Sequence, residues 1–308
     1  MLGQRVRGMW YVTKVQCLSS ISVAILLATG GCGGGPSNPP DAPSTSLGGA
    51  RPVELDVPPT LVAGRRYPLI VILHGYGATG LLQKLYLGMR DVSKDRGVFV
   101  LAPDGTTDVS GKQFWNADPA CCDFAHTGVD DVAYIGGLID TVMAQWPIDP
   151  KRVIVIGHSN GAFMAYRMAC DRADVVTAIV GLAGAAPSTP SSCAPSQPVA
   201  LLHLHGTADA VIAYDGGPVA PGSYAPGAIA SVAQWAGYLG CTGQRTDGTM
   251  LDLVSDLPGA ETTTSTTAGC PAGGAAELWS IAGGSHLPIF GTGWQPALFT
   301  WLDAHVRP

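Results

Sequence analysis

Charge is scarce in this 308-residue chain: 13% of residues are Asp, Glu, Lys or Arg, and 17 basic residues face 23 acidic ones for a formal charge of −6. Without a basic surplus the chain has nothing to draw it to a polyanion, which excludes nucleic-acid binding. Long apolar runs are missing as well. The stretch Val15 to Ala28 is shorter than the ~20 residues a bilayer-spanning helix requires, which argues against a permanent transmembrane segment. No internal repeat is found.

Apolar material is plentiful, at 46% of the chain. Beyond residue 50 the chain runs for roughly 255 residues, a size at which one domain hides about three quarters of the surface its unfolded chain would show. Ahead of that domain, Arg5, Arg7 and Lys14 flank the apolar stretch, which ends in Thr29-Gly30-Gly31-Cys32. The pattern predicts an export signal over 1–31, with Cys32 as a lipid acceptor of the bacterial lipoprotein type and plain secretion as the other reading. The Gly-, Pro- and Ser-rich segment 32–50 reads as a flexible tether, and 51–308 as the folded domain. A lipid on Cys32 would be the chain's one attachment to a membrane.

Past the leader there are six cysteines, Cys121, Cys122, Cys170, Cys193, Cys241 and Cys270. An even count in an exported chain points to disulfides, and six cysteines allow fifteen pairings. The spacings make 170 with 193 and 241 with 270 reasonable closures, leaving 121 with 122. A zinc site at Cys121-Cys122 with Asp123 and His126 fits poorly, because adjacent thiolates lack the usual spacer. No metal and no cofactor is expected.

Alternation of apolar runs with helical patterns predicts an α/β fold, a doubly wound, mostly parallel sheet with helices on both faces. Strands are expected near 51–57, 68–74, 98–102, 152–157, 177–183, 199–205 and 277–281, and helices near 80–94, 130–146, 159–171, 227–239 and 294–306. Asp130 and Asp131 are expected to cap the second helix. Thr262 to Thr267 reads as a solvated or edge stretch, and Asp215 to Ala225 as a loop.

Chemistry enters at Gly157-His158-Ser159-Asn160-Gly161, which follows the apolar run Arg152 to Ile156 and opens the helical pattern from Ala162. Strand, sharp turn and helix in succession form an elbow that strains one serine and exposes its hydroxyl, so Ser159 is the candidate nucleophile. A serine hydroxyl needs a base, and the base a carboxylate to fix its tautomer. Asp209 follows the strand at 199–205, where open α/β sheets place their sites; Asp215 is its rival. His286 follows the strand at 277–281 on a Gly-rich loop and is the favoured base, with His126 as the alternative. Backbone N–H groups must also face the developing oxyanion. His74-Gly75-Tyr76-Gly77 closes the strand at 68–74 and supplies the Tyr76 amide; the residue after the nucleophile supplies that of Asn160. Trp115 and Asn116, in a loop rich in Gly, Asp and Pro, suggest an exposed aromatic platform for substrate, a packed tryptophan being equally compatible.

From about Arg51 onward the chain resembles the secreted esterases that group polyhydroxybutyrate depolymerase-like proteins with feruloyl and acetylxylan esterases, within the α/β-hydrolase superfamily. The residues carrying the resemblance are His74-Gly75-Tyr76-Gly77, Ala102-Pro103-Asp104-Gly105, Trp115-Asn116-Ala117, Cys121-Cys122, Val129-Asp130-Asp131-Val132, Gly157-His158-Ser159-Asn160-Gly161, His205-Gly206-Thr207-Ala208-Asp209 and Gly283-Gly284-Ser285-His286. It implies a serine ester hydrolase, with a triad on the same three residues in the α/β-hydrolase order Ser, Asp, His. Members often continue the histidine loop with Thr-Trp-Pro, whereas Leu287-Pro288-Ile289 stands here. The implied substrates are feruloyl or acetyl esters of plant polysaccharide, or alternatively a hydroxyalkanoate polyester and its oligomers. A reading of another class is a surface protein that binds polysaccharide through the aromatic loop without catalysis.

Overall fold

The computed structural model describes residues 43–308, so the expected leader, Cys32 and the first part of the tether lie outside the described residues. Ten strands form one sheet: β1 (Ser46–Leu47), β2 (Val53–Asp56), β3 (Tyr67–Leu73), β4 (Phe99–Leu101), β5 (Ile148–His158), β6 (Ala178–Leu182), β7 (Ala200–Gly206), β8 (Arg245–Leu251), β9 (Thr262–Thr267) and β10 (Ala275–Ile281). Their order is β1-β2-β4-β3-β5-β6-β7-β10-β9-β8. From β4 to β10 every neighbouring pair is parallel, and antiparallel strands finish both edges. Because β1 pairs with β2, the sheet begins inside the segment expected to be tether.

Residues in the middle strands point alternately to two cores. In β3, Leu69, Val71 and Leu73 face one core and Ile70 and Ile72 the other. The first core is covered by α3 (Asp131–Gln145), α4 (Asn160–Asp171) and α5 (Ala228–Leu239), which bring Ile135, Ile139, Phe163, Tyr166 and Trp235. The second lies under α1 (Gly80–Tyr86), α2 (Val92–Arg96) and α6 (Trp294–Ala304), with Met89, Trp294, Leu298 and Trp301. Each such side chain contributes about 1.5–3 kcal/mol by leaving water, before the entropy of ordering it is subtracted.

Several expected elements differ in detail. The helix at 80–94 is two short ones, separated where Gly88 takes φ 70°. Thr262–Thr267 is an interior strand between β8 and β10, and the 215–225 segment holds a hairpin pairing Gly216–Ala220 with Ser223–Pro226. Asp130 does cap α3, accepting from the N–H of Ala133 at 2.8 Å. Asp131 does not. Its carboxylate is buried, 2.6 Å from Arg51 and 2.8 Å from the Asn116 N–H, and burial raises its pKa against those two partners. Among the described residues the disulfides are Cys121–Cys122, Cys170–Cys193 and Cys241–Cys270.

Candidate active site

Parallel strands carry the site at their carboxyl ends. β5 runs into Ser159, whose φ of 54° and ψ of −123° lie where an L-residue is strained by about 1–3 kcal/mol,. Two glycines are required around it. A Cβ on Gly157 would overlap the Gly161 carbonyl, and one on Gly161 would overlap that of Leu73, so strand, turn and helix close only without side chains there. On the next strand over, β3 is followed by His74 and Gly75, and a Cβ on Gly75 would lie 3.3 Å from that of Ser159. The Tyr76 turn is thereby set beside the nucleophile candidate.

The acid and base loops follow β7 and β10, which are neighbours in the sheet. Three hydrogen bonds join the loops: Thr207 N–H to Ile281 O (2.9 Å), Ala208 N–H to Gly284 O (2.9 Å) and Gly283 N–H to Thr207 Oγ1 (2.9 Å). With the loops so fixed, His286 Nδ1 donates to Asp209 Oδ2 at 2.8 Å. Asp209 Oδ1 accepts the N–H groups of Val211 (2.8 Å) and Ile212 (2.9 Å). Burial opposes ionisation of Asp209, but donation from His205, His286 and the Val211 amide outweighs it and holds the carboxyl well below the usual range,. Asp209 is therefore an anion at neutral pH, and its rival Asp215 sits exposed. His126 is exposed as well.

His286 reaches the elbow through His158, the residue before Ser159. His158 Nε2 donates to the carbonyl of His286 at 2.9 Å, and the two rings lie 4.9 Å apart. Burial, helped by the neighbouring His286, pushes the His158 pKa down to about 4, so it is a neutral brace. With Nδ1 committed to Asp209, His286 keeps Nε2 free of protein partners among the described residues. Ser159 and His286 are not directly hydrogen-bonded, a looseness common before substrate binds.

Asn160 opens α4, and its N–H, like that of Tyr76, meets no acceptor among the described residues. These are the two amides expected to face an oxyanion. The Tyr76 hydroxyl donates to Asp108 at 2.5 Å. The side chain of Asn160 is occupied elsewhere, accepting from the Trp115 N–H (2.7 Å) and donating to the Trp115 carbonyl (2.9 Å).

That arrangement corrects the reading of Trp115 and Asn116 as an exposed platform. Trp115 is fully buried, its indole N–H donating to the carbonyl of His74 at 3.0 Å, so it braces the Tyr76 turn and shows no face to a ligand. Asn116 is half-buried and held by Asp131 and by the Val129 carbonyl. Also absent from the sequence reading were the bracing roles of His158, His203 and His205. A signal existed for the last two, since histidines two apart on a strand share one face.

A groove of about 520 Å³ is lined by Cys121, Phe124, His126 and the hairpin residues Val219 to Ser223, and none of Ser159, Asp209 or His286 lines it. Two of its lining residues touch side chains of the site's neighbours: Asn160 Nδ2 lies 3.7 Å from Cys121 Sγ, and the Tyr76 and Phe124 rings are 5.6 Å apart. A larger cavity of about 1060 Å³ lies between Tyr86, Ser255, Phe290 and Trp294, and none of Ser159, Asp209 or His286 lines it.

Comparison with known proteins bears on the family and the fold. The sequence pattern of the phospholipase/carboxylesterase family matches residues 62–220. Feruloyl esterase B of Piromyces equi is 31% identical over 62% of this chain and 34% of its own length. Feruloyl esterase D of Neurospora crassa is 27% identical, over 62% of this chain and 65% of its own. The chain thus spans about a third of the first relative and just under two thirds of the second. Among solved structures, the acetyl xylan esterase from Aspergillus awamori superposes with a TM-score of 0.56 at 17% identity, covering 85% of this chain and 96% of its own. This chain has the α/β-hydrolase fold, and it belongs to the phospholipase/carboxylesterase family.

Proposed function

We propose that the chain is an exported serine carboxylic-ester hydrolase that works through an acyl-enzyme on feruloyl or acetyl esters of plant polysaccharide. The observation that carries the reading is the 2.8 Å Asp209–His286 bond, positioned beside a serine whose φ is 54°. His286 takes the proton of Ser159 as the hydroxyl attacks the ester carbonyl, and the amides of Tyr76 and Asn160 receive the charge that develops on oxygen. The proton then passes from His286 to the departing alcohol. Water repeats the sequence on the acyl-enzyme, while Asp209 stabilises the imidazolium in both halves. We assign the larger part of the substrate to the groove lined by Cys121 and Phe124. Three disulfides support export, since they persist in oxidising compartments,.

The polyester alternative draws on one observation: Leu287 and Ile289, which follow the base, are 55% and 59% exposed and offer apolar contact on the segment where members of the resembled group often carry Trp. The polysaccharide-binding reading loses its platform with the burial of Trp115. A panel of methyl ferulate, acetylated xylan and hydroxybutyrate oligomers, run beside Ser159→Ala, tests the proposal. Turnover should be highest on the first two and fall by several orders of magnitude in the variant. Preference for the oligomers would replace the substrate assignment, and full turnover by folded Ser159→Ala would remove the mechanism.

A further inference from the structure

Behind Asp209 runs a chain of buried polar groups that the hydrolytic cycle leaves unused. Tyr166, on the second turn of the helix that Ser159 caps, has its hydroxyl 2.9 Å from His203 Nδ1. His203 Nε2 is 3.1 Å from His205 Nδ1. His205 Nε2 is 2.8 Å from the Ile212 carbonyl and 3.3 Å from Asp209 Oδ2. Both imidazoles are 0% exposed and Tyr166 is 1% exposed, so water does not compete for these groups.

The acceptors at one end determine every proton. His205 Nε2 faces only a carbonyl and a carboxylate, so it carries hydrogen and, in the neutral ring, Nδ1 carries a lone pair. That lone pair requires a proton on His203 Nε2, which leaves His203 Nδ1 to accept from the Tyr166 hydroxyl. Burial and the adjacent His205 keep His203 neutral, and burial keeps the Tyr166 phenol protonated. The three groups have one consistent arrangement, in which the protons run from Tyr166 through His203 to His205, whose Nε2 donates to the Ile212 carbonyl and stands 3.3 Å from Asp209 Oδ2. Ile212 closes the circuit, for its carbonyl accepts from His205 while its N–H donates to Asp209 Oδ1.

We propose that His205, backed by His203 and Tyr166, is a positioning residue that connects the nucleophile's helix to the acid and fixes the charged Asp209 in the orientation His286 needs. The inference rests on the assignment of Asp209 and His286 as acid and base. His205 Nε2 also stands 3.3 Å from Oδ2, the oxygen that accepts from His286, so the electropositive edges of two rings face one carboxylate oxygen. The titratable groups facing this point are His286 from the base loop, His158 from the elbow, and Tyr214, whose ring edge meets His205 at 5.7 Å. Without His205 as donor, more of the carboxylate charge falls on His286, and the acidic limb of the pH–kcat/KM profile moves to higher pH.

Two amide replacements separate positioning from packing, because Gln sets its N–H₂ near the place of Nε2 and Asn near that of Nδ1. With an aryl acetate as substrate, His205→Asn should lose roughly tenfold or more in kcat with KM within about twofold, and its acidic limb should shift upward. His205→Gln should regain most of the kcat and the original limb. Equal losses in the two variants, or kinetics in His205→Asn like those of the parent, overturn the inference. If His205→Asn does not fold, Tyr166→Phe decides: it removes one hydroxyl without changing shape and should lower kcat and move the limb in the same direction, whereas an unchanged profile contradicts the proposal. Ser159→Ala, measured alongside, separates this outcome from failure of the mechanism itself, since its full activity would sink the triad whatever His205 does.

Discussion

His158 shows how much a single residue can carry at this site. It is the second residue of the elbow, its ring supports the carbonyl of His286, and burial holds it neutral with a pKa of about 4. The sign of the consequence follows from linkage. Between about pH 6.5 and pH 4 the unfolded chain binds a proton at this position that the native chain refuses, so stability falls as pH falls through that window and levels below it. The shift corresponds to about 3 kcal/mol, an order-of-magnitude figure. Denaturant titrations at several pH values should therefore show a slope between pH 6.5 and 4 that shrinks by about one proton in His158→Gln, which retains a donor near Nε2. An identical slope in parent and variant would contradict the neutral-brace assignment. Ser159, Asp209 and His286 were legible in the sequence because glycines and strand ends mark their positions. Trp115 was not, because a tryptophan in a Gly- and Pro-rich loop looks the same whether its indole faces water or, as here, the His74 carbonyl.

Among the elements, the parallel strands were the most legible: buried on both faces, they are written as unbroken apolar runs such as Leu69 to Leu73,. The exterior strand Arg245–Leu251 was not anticipated, since six of its seven residues are exposed and no alternation distinguishes it from a loop. Its place comes from pairing with β9, a long-range partner that no local pattern reveals. The helix expected at 80–94 was misread for a local reason, the left-handed turn at Gly88. Disulfides secure the elements that carry the site. Cys170, near the end of the nucleophile's helix, is joined to Cys193 on the approach to β7. Restricting a loop of 23 residues in the unfolded chain contributes about 3 kcal/mol. The double variant Cys170→Ala, Cys193→Ala should consequently melt several degrees lower than the parent while keeping the aryl-ester KM. An unchanged Tm would show that the bridge adds nothing to the folded domain.

For the whole molecule, the sheet is the device that brings together residues distant in the chain. The parallel strands β5, β7 and β10, with β6 between the first two, bring residues 159, 209 and 286 to one edge, and the antiparallel strands beyond β10 and β4 lie away from it. A formal charge of −6 and an open groove beside Phe124 suit a neutral, partly apolar ester better than a polyanion,. The central claim is that this assembly makes one serine hydroxyl nucleophilic. Treatment of the folded protein with a fluorophosphonate, followed by peptide mass spectrometry, tests it most directly. The account predicts a single phosphonyl adduct on Ser159, absent from Ser159→Ala and formed far more slowly in His286→Ala. An adduct of equal yield in Ser159→Ala, or labelling of Ser159 at the parent rate in His286→Ala, would contradict it.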